Sequence, residues 1–187
     1  MNKSDIKKIV EELIQTFLDA GKVSLDLRKQ GLIKEIKSDN TPVSNGDLEV
    51  NKILTKKISE LTPNVPIISE EASENKSIND LKDFWLIDPI DGTYDYINDL
   101  DEFTINAGLI IQKKPAAGLI YAPAKNRMFY SYGDNFSFEL INGEPTKLDH
   151  SKNFDKNEIK FVSYSNKIKP EINNALTTPD LIENHPP

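Results

Sequence analysis

Three acidic residues and one glycine turn hold the chemistry that this sequence offers. Asp88 and Asp91 stand in FWLIDPIDGTYDYI, Phe84 to Ile97, where a short apolar run ends at an Asp-Pro pair and Gly92-Thr93 follow. Glu70, with Glu71 beside it, follows a second short apolar run, Val65 to Ile68. Carboxylates attract a hard divalent cation, and the free N–H groups of a helix start attract a phosphate. One turn could therefore serve both parts of a metal-dependent phosphate site. Asp-Pro and Asp-Gly are also ordinary turn formers. The second acidic pair shifts the reading, because two strands that end in acids suggest convergence at one edge of a sheet, where open α/β sheets bind ligands.

The candidate metal ligands are Glu70, Asp88, Asp91 and the backbone carbonyl of Ile90. An all-oxygen set suits Mg²⁺, and also Ca²⁺ or Mn²⁺, but not zinc. Asp88 is placed to bridge two ions, and paired ions assist in-line displacement at phosphorus. The two histidines, His150 and His185, lie far from these motifs in sequence and read as surface residues. With no cysteine either, the expected nucleophile is a metal-activated water oriented by Glu70 and Thr93. Asp47 by itself reads as a helix N-cap, Lys37 as a solvated strand end, and Glu71 as a supporting partner behind the ligands. Tyr94, Tyr96 and Phe103 read as core or pocket wall rather than a stacking platform.

These residues need elements to position them. The apolar spacing Ile6, Ile9, Val10, Leu13, Ile14, Phe17, Leu18 predicts a helix from Ser4 to about Leu27, capped by Ser4 or Asp5 and broken by Gly31. A short strand follows at Leu32 to Lys37, then a loop from Ser38 to Gly46. Asp47 opens a second helix that Pro63 ends. The strand at Phe84 should stop at Asp88, since Pro89 cannot donate to a ladder, and Asp91 or Thr93 should cap the next helix. Ala72 to Asp83 reads as an exposed connection. Phe103–Ile111, Ala116–Tyr121, Met128–Tyr132 and Phe136–Ile141 predict an antiparallel meander, with one more strand at Phe161 to Tyr164.

The 187 residues suffice for one substantial core. Hydrophobic residues make up 37% and the mean hydropathy is −0.50, within the globular range. A net charge of −7, without a basic aromatic cluster, argues against nucleic-acid binding. No apolar run approaches membrane-spanning length. The expected location is cytoplasmic, with at most a peripheral place on the inner face of the cell membrane.

The DPIDGT of Asp88 to Thr93, preceded by Trp85-Leu86-Ile87, resembles the first signature of the inositol monophosphatase superfamily of metal-dependent phosphatases. Ile68 to Glu71 resembles its upstream metal-binding glutamate motif, and Lys37 to Asp47 its substrate-proximal loop. Leu61 to Pro66, Glu102 to Asn106 and Gly118 to Pro123 look like the CysQ-type 3′(2′),5′-bisphosphate nucleotidase branch. The resemblance runs in order from Ile6 to Tyr164. It implies a layered α/β sandwich that removes the 3′-phosphate of adenosine 3′,5′-bisphosphate with Mg²⁺, giving AMP. It implies a first ion on Glu70, Asp88 and the Ile90 carbonyl, and a second on Asp88, Asp91 and a further aspartate. It also implies phosphate on Gly92-Thr93, substrate contacts from Glu70 and Asp91, and Asp47 with Thr93 near the attacking water.

Two departures stand out. Tyr94-Asp95-Tyr96 replaces the Lys-Glu-Phe usual after the signature. The second signature, a Trp-Asp that supplies the further aspartate, is missing, as is a Gly-Ser segment of the substrate pocket. The expectation is a domain over 1–166, followed by the start of a truncated C-terminal part over 167–187. A fragment of little activity and a self-associating apolar edge would follow. Inositol phosphate or fructose bisphosphate chemistry, metal or phosphate binding without turnover, and a purely structural α/β domain are the alternatives.

Overall fold

The computed structural model describes residues 1–38, 40–71, 81–134 and 136–148. Helix α1 spans Lys3–Gln30, and its apolar positions Ile6, Val10, Leu13, Phe17 and Ala20 are all buried. Its cap is Asn2, not Ser4 or Asp5. The Asn2 side chain accepts from the Asp5 amide, and the Asp5 side chain answers on the Asn2 amide. That reciprocal pair satisfies two helix-start donors at once. Gly31 closes the helix at φ 96°, a conformation that costs glycine little.

The stretch after α1 departs from a simple strand and loop. Lys34–Ile36 (β1) pairs antiparallel with Pro42–Ser44 (β2), so the turn-rich segment contains a strand. Helix α2 then runs Asn45–Leu61, and Ser44 is its N-cap. Asp47 is therefore not the cap. It is the third residue of the helix, and its carboxylate returns to the Ser44 amide at 2.8 Å.

The main sheet has seven strands in sequence order: β3 (Ile67–Ser69), β4 (Phe84–Asp91), β5 (Thr104–Ile111), β6 (Lys114–Ala122), β7 (Arg127–Tyr132), β8 (Ser137–Ile141) and β9 (Glu144–Lys147). Only β3 and β4 run parallel; from β4 onward the sheet is the expected antiparallel meander. β9 was not foreseen. Its sequence, Glu144 to Lys147, is exposed throughout and lacks alternation.

Strand β4 does not stop at Asp88. It continues through Pro89 to Asp91, with a register shift where Asp88 faces Asn106 and Asp91 faces Thr104. Three steps on β4 thus match two on β5, a bulge that frees Pro89 from the ladder donation it cannot make. Helix α3, Thr93–Ile97, follows, and its N-cap is Gly92 at φ 90°. Neither Asp91 nor Thr93 caps it. With five residues it adds little macrodipole to an anion site.

Helices α1 and α2 pack on each other and on one face of the sheet, α1 over β6 and β7, α2 over β4. Trp85, Ile87, Ile105, Leu109 and Leu119 fill that interface. On the opposite face, Leu86 and Ile120 are about half exposed, at 47% and 50%. Tyr96 and Phe103 are core residues, whereas Tyr94 is exposed. Met1–Leu148 forms one compact unit. The boundary expected at residue 166, the strand at Phe161 to Tyr164, both histidines and the part of the Ala72 to Asp83 connection before residue 81 lie outside the described residues.

Trp85 links this framework to the acidic edge. Its indole N–H donates to Thr62 Oγ1 at 3.1 Å, with both residues buried, so the end of α2 is tied to the start of β4. Thr62→Val keeps the shape and strands that donor, which should cost about 1–3 kcal/mol. Urea unfolding should show a lower midpoint with an unchanged slope; an unchanged midpoint would show that the bond contributes nothing.

Candidate active site

The parallel pairing of β3 with β4 is what assembles the acidic edge. Ser69 lies opposite Ile87, and the Glu70 amide donates to the Ile87 carbonyl at 3.1 Å. Glu70 therefore emerges beside Asp88. Burial, the charges of Glu70 and Asp91, and a hydrogen bond with Glu70 push Asp88 up to about 7. Asp88 Oδ1 is shielded from solvent and has no hydrogen-bond partner among the described residues.

Asp47 is in the opposite condition. It is buried at 1% exposure, and Oδ2 accepts from the Ser44 amide at 2.8 Å and the Ser44 hydroxyl at 2.6 Å. Its Oδ1 lies 3.2 Å from Thr93 Oγ1. That hydroxyl also lies 2.9 Å from the Ile90 carbonyl oxygen. A hydroxyl has one proton to donate, so Thr93 can serve Asp47 or Ile90, not both.

Lys37 is not a solvated strand end. Its ammonium lies 2.8 Å from Glu71 and 3.8 Å from Glu70, with the side chain only 21% exposed and that of Glu71 5% exposed. Burial lowers the Lys37 pKa, but the hydrogen bond to Glu71 and the surrounding carboxylates outweigh it, so the net shift is upward. Burial, with the charges of Asp47 and Glu70, raises the Glu71 pKa against the lowering effect of Lys37, and the net shift is upward. The pair thus holds a cation against Glu70 from behind, with Glu71 taking the desolvation.

The described residues bring these groups into two contact sets. Lys37, Glu71, Glu70 and Asp88 form one, and Asp47, Thr93 and the Ile90 carbonyl form the other; Ile90 lies between Asp88 and Asp91 in β4. A cleft of about 510 Å³ opens over the uncovered face of the sheet, with Asp88, Asp91, Thr104 and Asn106 at one end and Gly118 and Phe129 further along. No group of three His, Cys, Asp or Glu side chains among the described residues is gathered into a metal-holding cluster. The donor chemistry nonetheless fits a hard cation, since Asp88 presents an orphaned oxygen in the company of two further acids, Glu70 and Asp91.

Sequence reasoning missed three supports. Ser44 holds Asp47, and its signal was the Ser-x-x-Asp spacing before an apolar helix. Asn51 accepts from the Ser69 hydroxyl at 2.7 Å, fastening β3 to α2. Asn106 donates to Asp91 Oδ2 at 3.3 Å. Its signal was polar alternation, Thr104 and Asn106 on one face of a strand whose other face is apolar.

Comparison with known proteins gives the family. The sequence model of the inositol monophosphatase family matches residues 5–178. The 3′(2′),5′-bisphosphate nucleotidase CysQ of Haemophilus influenzae is 39% identical over 132 residues, covering 68% of this chain and 46% of that protein. Its counterpart from Buchnera aphidicola is 36% identical over 146 residues, covering 76% and 55%. The extragenic suppressor protein SuhB of Bartonella henselae shares the fold with a TM-score of 0.61 at 26% identity, covering 68% and 50%. The chain spans about half the length of the curated relatives it matches. With its α/β architecture and the family match over nearly its whole length, the chain belongs to the inositol monophosphatase family.

Proposed function

We propose that the chain acts as a Mg²⁺-dependent phosphomonoesterase on the 3′-phosphate of adenosine 3′,5′-bisphosphate, yielding AMP and phosphate. The observation that carries the reading is Asp88, a half-buried carboxyl with an orphaned oxygen, held between Glu70 and Asp91. The choice of nucleotide rests on the CysQ relatives, which are named as 3′(2′),5′-bisphosphate nucleotidases.

Glu70, Asp88, Asp91 and the Ile90 carbonyl would hold the ion. Such a cation supplies charge neutralisation at the phosphoryl oxygens and makes water acidic enough to attack phosphorus. The protein's own part is then proton handling and placement. Asp47, with Oδ2 fixed by Ser44, keeps Oδ1 for the Thr93 hydroxyl. When Thr93 donates to Asp47, its oxygen is left to accept from the attacking water. The water oxygen bonds to phosphorus as the bond to the 3′-oxygen breaks; one proton of the water ends on the 3′-oxygen and the other stays with the phosphate. Backbone N–H groups at Gly92-Thr93 would contact the phosphate, and Lys37 would steady Glu70 through Glu71.

A second reading, binding without turnover, is favoured by one observation. Trp85, the single tryptophan of these 187 residues, is followed by Leu86, so they hold no Trp-Asp pair to supply the further aspartate that the family resemblance implies for a second ion.

Phosphate release from adenosine 3′,5′-bisphosphate with Mg²⁺ separates the two, with calorimetric Mg²⁺ titration alongside. Asp88→Asn should abolish release and weaken Mg²⁺ binding by more than about 100-fold, since even groups that only orient ligands are worth 10–100-fold. Mg²⁺ binding without release in the unsubstituted chain would favour the second reading. Absence of binding would overturn both.

Thr93→Ala should lower kcat by about 10²–10⁴-fold, the usual contribution of a positioned proton acceptor, while leaving the Mg²⁺ dissociation constant unchanged. An equal loss in both would place Thr93 in ion binding instead.

A further inference from the structure

Asn106 occupies a position that the proposed chemistry has not used. Alternation along β5 buries Ile105, Ala107 and Leu109 against the helices and turns Thr104, Asn106 and Gly108 to the uncovered face. The register sets Asn106 directly opposite Asp88 on β4 and Ile120 on β6. Because of the bulge at Pro89, Asp91 pairs with Thr104, the next residue of β5 on the same face as Asn106. A single amide thereby stands opposite one aspartate and within hydrogen-bond reach of the other, at the acidic end of the cleft.

The orientation of that amide follows from chemistry. An ionised carboxylate only accepts hydrogen bonds, so the group facing Asp91 must be the amide nitrogen. Nδ2 indeed lies 3.3 Å from Asp91 Oδ2. The carbonyl oxygen is then committed to the other side. Asn106 Oδ1 is shielded from solvent and has no partner among the described residues. Among the described residues, the other side-chain oxygen in this condition is Asp88 Oδ1, on the residue paired across the ladder. A protein seldom leaves one buried acceptor without a donor. Two on neighbouring strands at one end of a cleft mark a place built for something that brings hydrogen-bond donors or positive charge.

We propose that Asn106 is a positioning residue for the cation site, its Nδ2–H holding the Asp91 carboxylate and its Oδ1 accepting from a water of the hydrated ion. This rests on the cation reading above. Mg²⁺ dehydrates reluctantly and keeps several waters when it binds carboxylates, so an outer acceptor beside Asp88 has a natural donor. The residue type also suits the task. A neutral amide steadies Asp91 without adding a charge to an edge that already gathers Glu70, Asp88 and Asp91.

The test is Mg²⁺ titration by calorimetry on the full 187-residue chain, with Mg²⁺ alone as probe, for the unsubstituted protein, Asn106→Leu, Asn106→Ala and Asn106→Asp. Thermal melting without Mg²⁺ accompanies each. Asn106→Leu should weaken Mg²⁺ binding about tenfold, the low end for groups that orient metal ligands. Its metal-free melting temperature should stay level or rise, because an orphaned buried acceptor has gone. A merely structural asparagine would show the reverse pattern, lower melting with unchanged affinity, and that result overturns the proposal. Asn106→Ala should repeat the affinity loss and decides the matter where the leucine variant does not fold. Asn106→Asp should not exceed the original affinity, since it removes the donated hydrogen bond while adding charge. Tighter binding in that variant overturns the proposal, because charge alone would then set the affinity. If the unsubstituted chain binds no Mg²⁺, the cation reading falls as well. If it binds and the leucine and alanine variants match it, the role of Asn106 alone falls.

Discussion

Like charges held together against their mutual repulsion are the constraint around which the described structure is arranged. The parallel ladder between β3 and β4 fixes Glu70 next to Asp88 through the Glu70 amide and the Ile87 carbonyl. The bulge at Pro89 then brings Asp91 round to the same edge. None of these acids could stay near the others on a flexible loop, where repulsion would separate them. Core packing behind the edge supplies the restraint: Trp85 and Ile87 are fully or almost fully buried, and Ile90, the residue between Pro89 and Asp91, is 1% exposed. Apolar burial on one face of β4 therefore holds electrostatic stress on the other.

The protein divides its carboxylates into satisfied and unsatisfied ones. Asp47 accepts hydrogen bonds from the Ser44 amide and the Ser44 hydroxyl and lies within reach of the Thr93 hydroxyl, and the first of these belongs to a capping box that α2 needs in any case. Its position thus follows from helix formation itself. Glu71 takes its cation from Lys37 within the chain. Asp88 keeps Oδ1 without a partner among the described residues, and its raised pKa expresses burial first and the neighbouring acids second. A cation arriving at that edge would relieve repulsion that folding has already imposed, which is how a preorganised site binds a hard ion without rearranging.

Much of this was legible from residue types, and the failures share a cause. Helix α1, the meander and the acidic edge follow from periodicity and from carboxylates placed after apolar runs, which are local signals. The helix caps were displaced because a reciprocal cap is a relation between two residues, Asn2 with Asp5 and Ser44 with Asp47, rather than a property of the strongest capping residue in view. Pro89 misled because a proline forbids a ladder hydrogen bond only where one would form, and a bulge removes that demand. Pro42–Ser44 read as loop because turn residues dominate its neighbourhood, yet its pairing with β1 depends on a partner across a tight turn. Lys37 read as solvated because nothing local announces Glu71, which lies 34 positions away.

The site's supports were the least legible part, and Asn106 shows why. Alternation alone places it on the uncovered face, but which strand lies beside β5, and in which register, decides whether that face looks onto acids or onto water. A shift of one residue would turn Asn106 into the core and Ile105 towards Asp88. The bulge on β4 changes the register within the very stretch that matters, so even a correct strand assignment would misplace Asn106 relative to Asp91. Residues that ligate or transfer protons betray themselves by type, whereas residues that orient them are ordinary amides and hydroxyls. Ser44, Asn51 and Asn106 acquire their roles only when tertiary pairing sets a donor against an acceptor.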